Sequence, residues 1–162
     1  MKILFVCTGN TCRSSMAAGL ARKILEERGL GGIQVASAGI AAFPGERATR
    51  EAMAAAAEMG ICLLDHRATP LTHDDIREAS LVLTMTTVHR EYIKELFPQH
   101  SEKIHTLAGY AGTTGDIPDP LGYPLDAYRE CARRLEVLIT RSAARLEPEY
   151  RVCKLNGRLE KE

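Results

Sequence analysis

In Cys7-Thr8-Gly9-Asn10-Thr11-Cys12-Arg13-Ser14 a thiol and a guanidinium stand with five small or turn-prone residues between them, directly after the apolar run Ile3-Leu4-Phe5-Val6. A loop between a buried strand and a helix start turns successive backbone N–H groups into one hollow. The helix N-terminus adds positive potential to it. Such a hollow suits a tetrahedral oxyanion, phosphate above all. An ordinary thiol ionises near pH 8.5, but amides, a helix end and a guanidinium around it bring the value down to about 3.5–7.5. Cys7 is therefore expected to be a nucleophile with a lowered pKa. Arg13 offers a planar fork that holds two phosphate oxygens at once, which a lysine cannot do. A Cys and an Arg alone would equally fit a buried structural thiol and a surface charge. The strand before them and the helix after them favour chemistry.

Attack on phosphorus also needs a proton for the leaving group. The segment 109–124 has four glycines, three prolines, two acids and no periodicity, and a loop of that length in a compact domain is usually functional. Asp119 lies between Pro118 and Pro120, and a residue before proline is pushed toward extended geometry. That fixes the angle of one carboxyl, so Asp119 is the candidate general acid. Asp116 is the weaker competitor in the same loop.

The elements that must position these groups alternate between strand and helix. Met16, Ala17, Leu20, Ala21, Ile24 and Leu25 recur at helical spacing, and Gly29, Gly31 and Gly32 stop that helix. Strands are predicted at 33–36 (closed by Ser37-Ala38-Gly39), 81–85 and 104–107. Helices are predicted at 47–59, from Thr72 to about residue 79, at 87–97 and at 125–145. The pattern predicts an α/β fold with a four-stranded parallel sheet, helices on both faces and right-handed crossovers. In such sheets the site lies at the carboxyl ends of the strands, where Cys7 follows Val6.

A chain of 162 residues suggests one domain, taken as 1–146. Residues 147–162 read as a charged C-terminal tail, more simply frayed than regulatory. Lys plus Arg and Asp plus Glu are both 21, so no net charge draws the chain to nucleic acid or to an anionic membrane. No apolar run approaches membrane-spanning length and no basic-apolar leader is evident. Five irregularly spaced cysteines do not form a secreted disulfide framework, and the expected compartment is the cytoplasm. His73, His89, His100 and His105 sit at no metal-ligand spacing, so neither metal nor cofactor is expected. Cys62, Cys131 and Cys153 read as packing or tail residues.

Cys-x5-Arg-Ser after a first strand resembles the low-molecular-weight protein tyrosine phosphatase family, with its Rossmann-like fold. The eight-residue loop is similar to the bacterial branch that acts on protein phosphoarginine. Ser37-Ala38-Gly39, His66-Arg67-Ala68, the 81–85 strand and Asp119-Pro120 extend the resemblance over about residues 1–146. It implies a phosphatase acting on phosphorylated proteins or peptides through a cysteinyl-phosphate. Cys7 would attack, Arg13 and the loop amides of Thr8, Gly9, Asn10, Thr11 and Cys12 would hold phosphate, and Asp119 would serve as acid and then base. It further implies that Asn10, tied to Ser37 and His66, orders the loop, that Ser14 donates to the thiolate, and that Cys12 can form a protective disulfide with Cys7. Thr11 would set the substrate: tyrosine-directed members usually have a branched apolar residue there. A hydroxyl can bond a guanidinium N–H and offers a phenol ring less. Phe43, Leu121 and Tyr123 would line the mouth, although Leu121 and Gly122 stand where tyrosine-directed members often have aromatics. Ser15 and Ala18 depart from the family's usual Pro and Glu, with consequences expected only for packing. Phosphoarginine is thus the first expectation and phosphotyrosine the alternative. An arsenate reductase would need a pair of close resolving cysteines, whereas Cys62, Cys131 and Cys153 are far apart, and a binding module without turnover would lack the thiol, arginine or acid.

Overall fold

A computed structural model describes residues 1–159, with side chains through residue 155. Its centre is a four-stranded, wholly parallel sheet of β1 (Lys2–Cys7), β2 (Gln34–Gly39), β3 (Leu81–Thr84) and β4 (Ile104–Thr106), in the order β2-β1-β3-β4. The helices are α1 (Arg13–Glu27), α2 (Arg50–Glu58), α3 (His73–Glu78), α4 (Thr87–Leu96), α5 (Leu107–Tyr110) and α6 (Leu125–Leu159).

The alternation of β1 shows why helices cover both faces. Ile3, Phe5 and Cys7 enter one core, with residues of α1, α2 and α6. Leu4 and Val6 enter the other, with Ile76 of α3 and Ile93 of α4. A strand apolar on both sides must be central in a parallel sheet. After β1 the chain crosses to one side to make β2 and later returns to the other side to make β3. The order therefore reverses between β1 and β3, which is where α/β sheets form their binding crevice.

The predicted elements recur with boundaries moved by a few residues. The short helix begins with a full capping box, in which the Thr72 and Asp75 side chains each accept from the other's backbone N–H. A 3₁₀ turn (Pro98–Lys103) and the four-residue α5 carry no sequence periodicity long enough to read. The larger difference is at the C-terminus. The last helix does not stop near residue 145 but runs through Pro148 to Leu159. Tyr150 packs against the first core, and Glu147 pairs with Arg28 at 2.9 Å and with Arg151 at 2.6 Å. Those contacts hold the turn that Pro148 weakens by lacking an N–H. Residues 160–162 of the expected tail lie outside the described residues.

Candidate active site

Between β1 and α1 the chain turns its carbonyls outward. Ile40 N–H donates to Cys7 O, Ala41 N–H to Thr8 O, Thr49 N–H to Thr11 O and Met16 N–H to Cys12 O, all at 2.9–3.1 Å. Asn10 O accepts from His66 Nε2 at 2.6 Å. In a trans peptide the following N–H points opposite to the carbonyl, so the amides of residues 8, 9, 11, 12 and 13 face the inside of the loop. α1 starts at Arg13 with no side-chain cap and no acid in its first turn, leaving its N-terminal dipole directed at the same hollow. The cavity, of about 100 Å³, is lined by residues 7–13, Asp119 and Leu121.

Gly39 makes this close approach possible. A Cβ there would lie 2.5 Å from Thr8 O and 3.0 Å from Asn10 N, inside any real contact. The end of β2 can abut the loop only because residue 39 has no side chain.

Asn10 orders the interior. It adopts φ +58°, a left-handed geometry that Asn tolerates better than most, and is fully buried. Its Oδ1 accepts from Thr69 N–H at 3.0 Å, which fixes the amide's orientation. Nδ2 must then donate, to Ser37 Oγ at 2.9 Å and to Ser14 Oγ at 2.8 Å. With its oxygen already accepting, Ser14 has its one proton free for Cys7 Sγ, 2.8 Å away. Asn10 N–H reaches the same sulfur at 3.3 Å. Cys7, Asn10, Ser14, Ser37 and His66 are thus brought into one network. Thr69 was not visible in the sequence as part of it, because only the fold brings it to Asn10.

Burial pushes the Cys7 thiol up; the Ser14 hydroxyl and N–H, the Arg13 charge and the Asn10 N–H pull it down, and burial is the largest effect. The expectation of a lowered value is therefore not met in this arrangement. The Arg13 fork is itself engaged. Nη1 donates to Ile117 O at 3.1 Å, and Nη2 pairs with Asp119 Oδ2 at 3.0 Å.

The two acids of the 109–124 segment separate clearly. Asp116 accepts from Thr87 N–H at 2.8 Å and from the Thr87 hydroxyl at 3.0 Å, so it ties the loop to the first turn of α4. Asp119 stands at the cavity, half-exposed, one oxygen on Arg13 and the other accepting from Leu121 N–H at 3.2 Å. Thr11 is buried with its hydroxyl beside Gly9. Cys12 Sγ lies within 3.7 Å of the Thr11, Thr49 and Tyr128 hydroxyls.

Leu121 lines the cavity, but Phe43 and Tyr123 do not. Phe43 is exposed just before the Pro44-Gly45 turn, and Tyr123 lines an adjoining cavity between the Asp119 loop and α6, with Asp119 shared by both. The family resemblance implies that both stand at the mouth.

A thiol in an amide-lined loop at the switch point of a parallel sheet, with an arginine and a carboxylate at its rim, defines the class of small α/β phosphatases. The family model for low molecular weight phosphotyrosine protein phosphatase matches residues 2–152. A protein-arginine-phosphatase of Geobacillus stearothermophilus is 45% identical over 91% of this chain and 97% of its own. A low molecular weight protein-tyrosine-phosphatase of Staphylococcus epidermidis, PtpB, is 32% identical over 86% and 94%. Among solved structures, the YwlE arginine phosphatase, as a cysteine-to-serine mutant with a phosphorylated active site serine, superposes with a TM-score of 0.87 at 41% identity, covering 91% of this chain and 96% of that one. The chain belongs to the low molecular weight phosphotyrosine protein phosphatase family and is by class a phosphoprotein phosphatase. Among the described residues, no helix is long and apolar enough to cross a membrane.

Proposed function

We propose that this protein removes phosphate from phosphoarginine in proteins by a two-step reaction on Cys7. The observation that carries the reading is the Cys7 sulfur, held by Ser14 and Asn10 at the floor of an inward-facing ring of amides, with Arg13 and Asp119 at its rim. Thiol plus phosphate dianion carries the same proton and charge as thiolate plus monoanion. A thiol raised by burial can therefore react by passing its proton to the incoming phosphoryl group. Sulfur then attacks phosphorus, the P–N bond breaks, and Asp119 gives its proton to the departing guanidine nitrogen. The phosphoryl charge rests on the loop amides and on Arg13, whose fork must leave Asp119 and Ile117 to grip it. In the second step the Asp119 carboxylate takes a proton from water, the oxygen attacks phosphorus, and the S–P bond breaks.

Thr11 supports phosphoarginine over phosphotyrosine, because its hydroxyl at the cavity wall can accept from a guanidinium N–H. The arginine phosphatases among the relatives support the same choice. Phosphotyrosine is the second reading, favoured by the family's own tyrosine phosphatases. The natural partners on this reading are phosphorylated cytoplasmic proteins. Turnover of phosphoarginine and phosphotyrosine peptides by the native protein and by Thr11→Ile tests the choice. Arginine preference that inverts in the variant is expected. A native preference for tyrosine, or a ratio unmoved by the substitution, overturns it.

A further inference from the structure

His89 belongs to no part of the reaction described above, yet it touches the loop that surrounds the thiol. Its ring is buried at 5% exposure, and Nε2 lies 2.9 Å from Thr8 Oγ1, 81 residues away in the chain. The other ring nitrogen, Nδ1, is buried with no partner among the described residues. A buried imidazole with one unpaired nitrogen is costly to a fold. We assign the proton to Nε2, which then donates to Thr8 Oγ1 and leaves Nδ1 with its lone pair. The Thr8 hydroxyl oxygen is thereby held from outside the loop.

What holds His89 also holds the opposite wall. Its backbone N–H donates to Thr86 Oγ1, the cap of α4. The next residue after that cap, Thr87, binds Asp116 of the acid-bearing loop through both N–H and hydroxyl. The end of β3 repeats the arrangement in the backbone: Met85 N–H donates to Val6 O, and Met85 O accepts from Ile117 N–H. One helical turn therefore grips the nucleophile loop through His89 and the acid loop through Thr87.

We infer that His89 is a positioning residue of the phosphatase: its Nε2–Thr8 bond fixes the Cys7 loop to the first turn of α4 and so sets the distance between sulfur and the Asp119 carboxyl. The inference rests on the thiol-phosphatase reading. Loss of the bond leaves the amide ring able to bind phosphate but lets the sulfur and the acid drift apart. It lowers kcat and leaves KM nearly unchanged.

The test uses p-nitrophenyl phosphate with the full chain as native protein, His89→Phe, His89→Gln, Thr8→Val and the Thr8→Val/His89→Gln double variant. Expected are a fall in kcat of roughly tenfold in His89→Phe at constant KM, recovery to within about threefold in His89→Gln, whose amide N–H reaches the Nε2 position, and a double variant no slower than Thr8→Val. Should His89→Phe fail to fold, Thr8→Val alone decides, since it removes the partner from an accessible loop side chain. Unchanged kcat in Thr8→Val or His89→Phe overturns the inference, as does a glutamine variant impaired as much as phenylalanine. An inactive native protein overturns the thiol-phosphatase reading itself, and this inference with it. An active native protein with indifferent variants overturns only the role of His89.

Discussion

The loop around Cys7 and the loop that carries Asp119 face each other across one cavity and are built in opposite ways. In the first, Cys7, Asn10 and Ser14 are buried, most outward carbonyls have a partner, and Asn10 alone makes three side-chain hydrogen bonds. The second has no regular structure between α5 and α6 and hangs on Ile117, on the Asp116–Thr87 bonds and on Arg13. Asp119 is 44% exposed at its side chain, against 5% for Arg13 opposite it. Donors that stabilise transition-state charge act best when fixed beforehand. A carboxyl that first yields a proton and then takes one from water needs room to move. On the proposed mechanism, the contrast between the loops follows those two demands.

The sharpest way to break the contrast is at the rigid side. Arg13→Lys keeps a positive charge but loses the fork, and kcat on p-nitrophenyl phosphate is expected to fall about a thousandfold. A loss below tenfold would mean that the amides hold the phosphoryl charge without it. At the looser side, Asp119→Asn is expected to lower kcat roughly a hundredfold with a poor leaving group. It should at the same time tighten inhibition by inorganic phosphate, because the carboxylate that now occupies Arg13 Nη2 has lost its charge. Weaker phosphate inhibition in this variant would show that the Arg13–Asp119 pair does not compete with the anion.

The two loops also differ in how far the sequence disclosed them. That Cys7, Arg13 and Asp119 share one cavity is legible because each chemical type sits in a diagnostic local frame: strand and turn before the thiol, prolines about the acid. The sheet was legible because its strands are short apolar runs between helical periods. The Asn10 partners were implied by resemblance, while Thr69, Thr87 and the role of Asp116 were not readable. They act through contacts that span 29 to 59 residues, which no local pattern encodes. Phe43 and Tyr123 are absent from the lining of the small cavity for a related reason, since a loop's order in sequence does not fix the aim of its side chains. The C-terminal helix reads only to residue 145 because its apolar periodicity ends there, whereas packing of Tyr150 and the ion pairs of Glu147 carry it further.

His89 joins the two regions, and acid should loosen that joint. Burial first, and then the Arg13 charge, lower its pKa from 6.5 to about 4, against the opposing carboxylates of Asp116 and Asp119. The unfolded chain therefore binds this proton at a higher pH than the folded one. The resulting stability is fully present above about pH 6.5 and is lost as the pH falls toward 4. Between pH 7 and pH 5 the loss amounts to about 2 kcal/mol from this group. Urea unfolding of the native protein and of His89→Gln at the two pH values should show the variant losing less by about that amount. Equal losses would mean that the imidazole already carries its proton in the folded protein at pH 5.

The smallest expected effect sharpens the assignment of the two acids. Asp116→Ala removes the tether to α4 but no group that touches phosphate, so it should lower kcat by about three- to tenfold through poorer placement of Asp119. Its stability loss should be about 1 kcal/mol, because Thr87 N–H at the exposed helix start can turn to water. Because Asp119 keeps its carboxyl, the slower variant should retain the native dependence on leaving-group basicity, measured with a series of substituted phenyl phosphates. Asp119→Asn should steepen that dependence, since the leaving group then departs unprotonated. If Asp116→Ala steepens it instead and Asp119→Asn does not, the proton comes from the tethered acid. The anchored and loosely held carboxylates would then have exchanged the roles their geometry gives them.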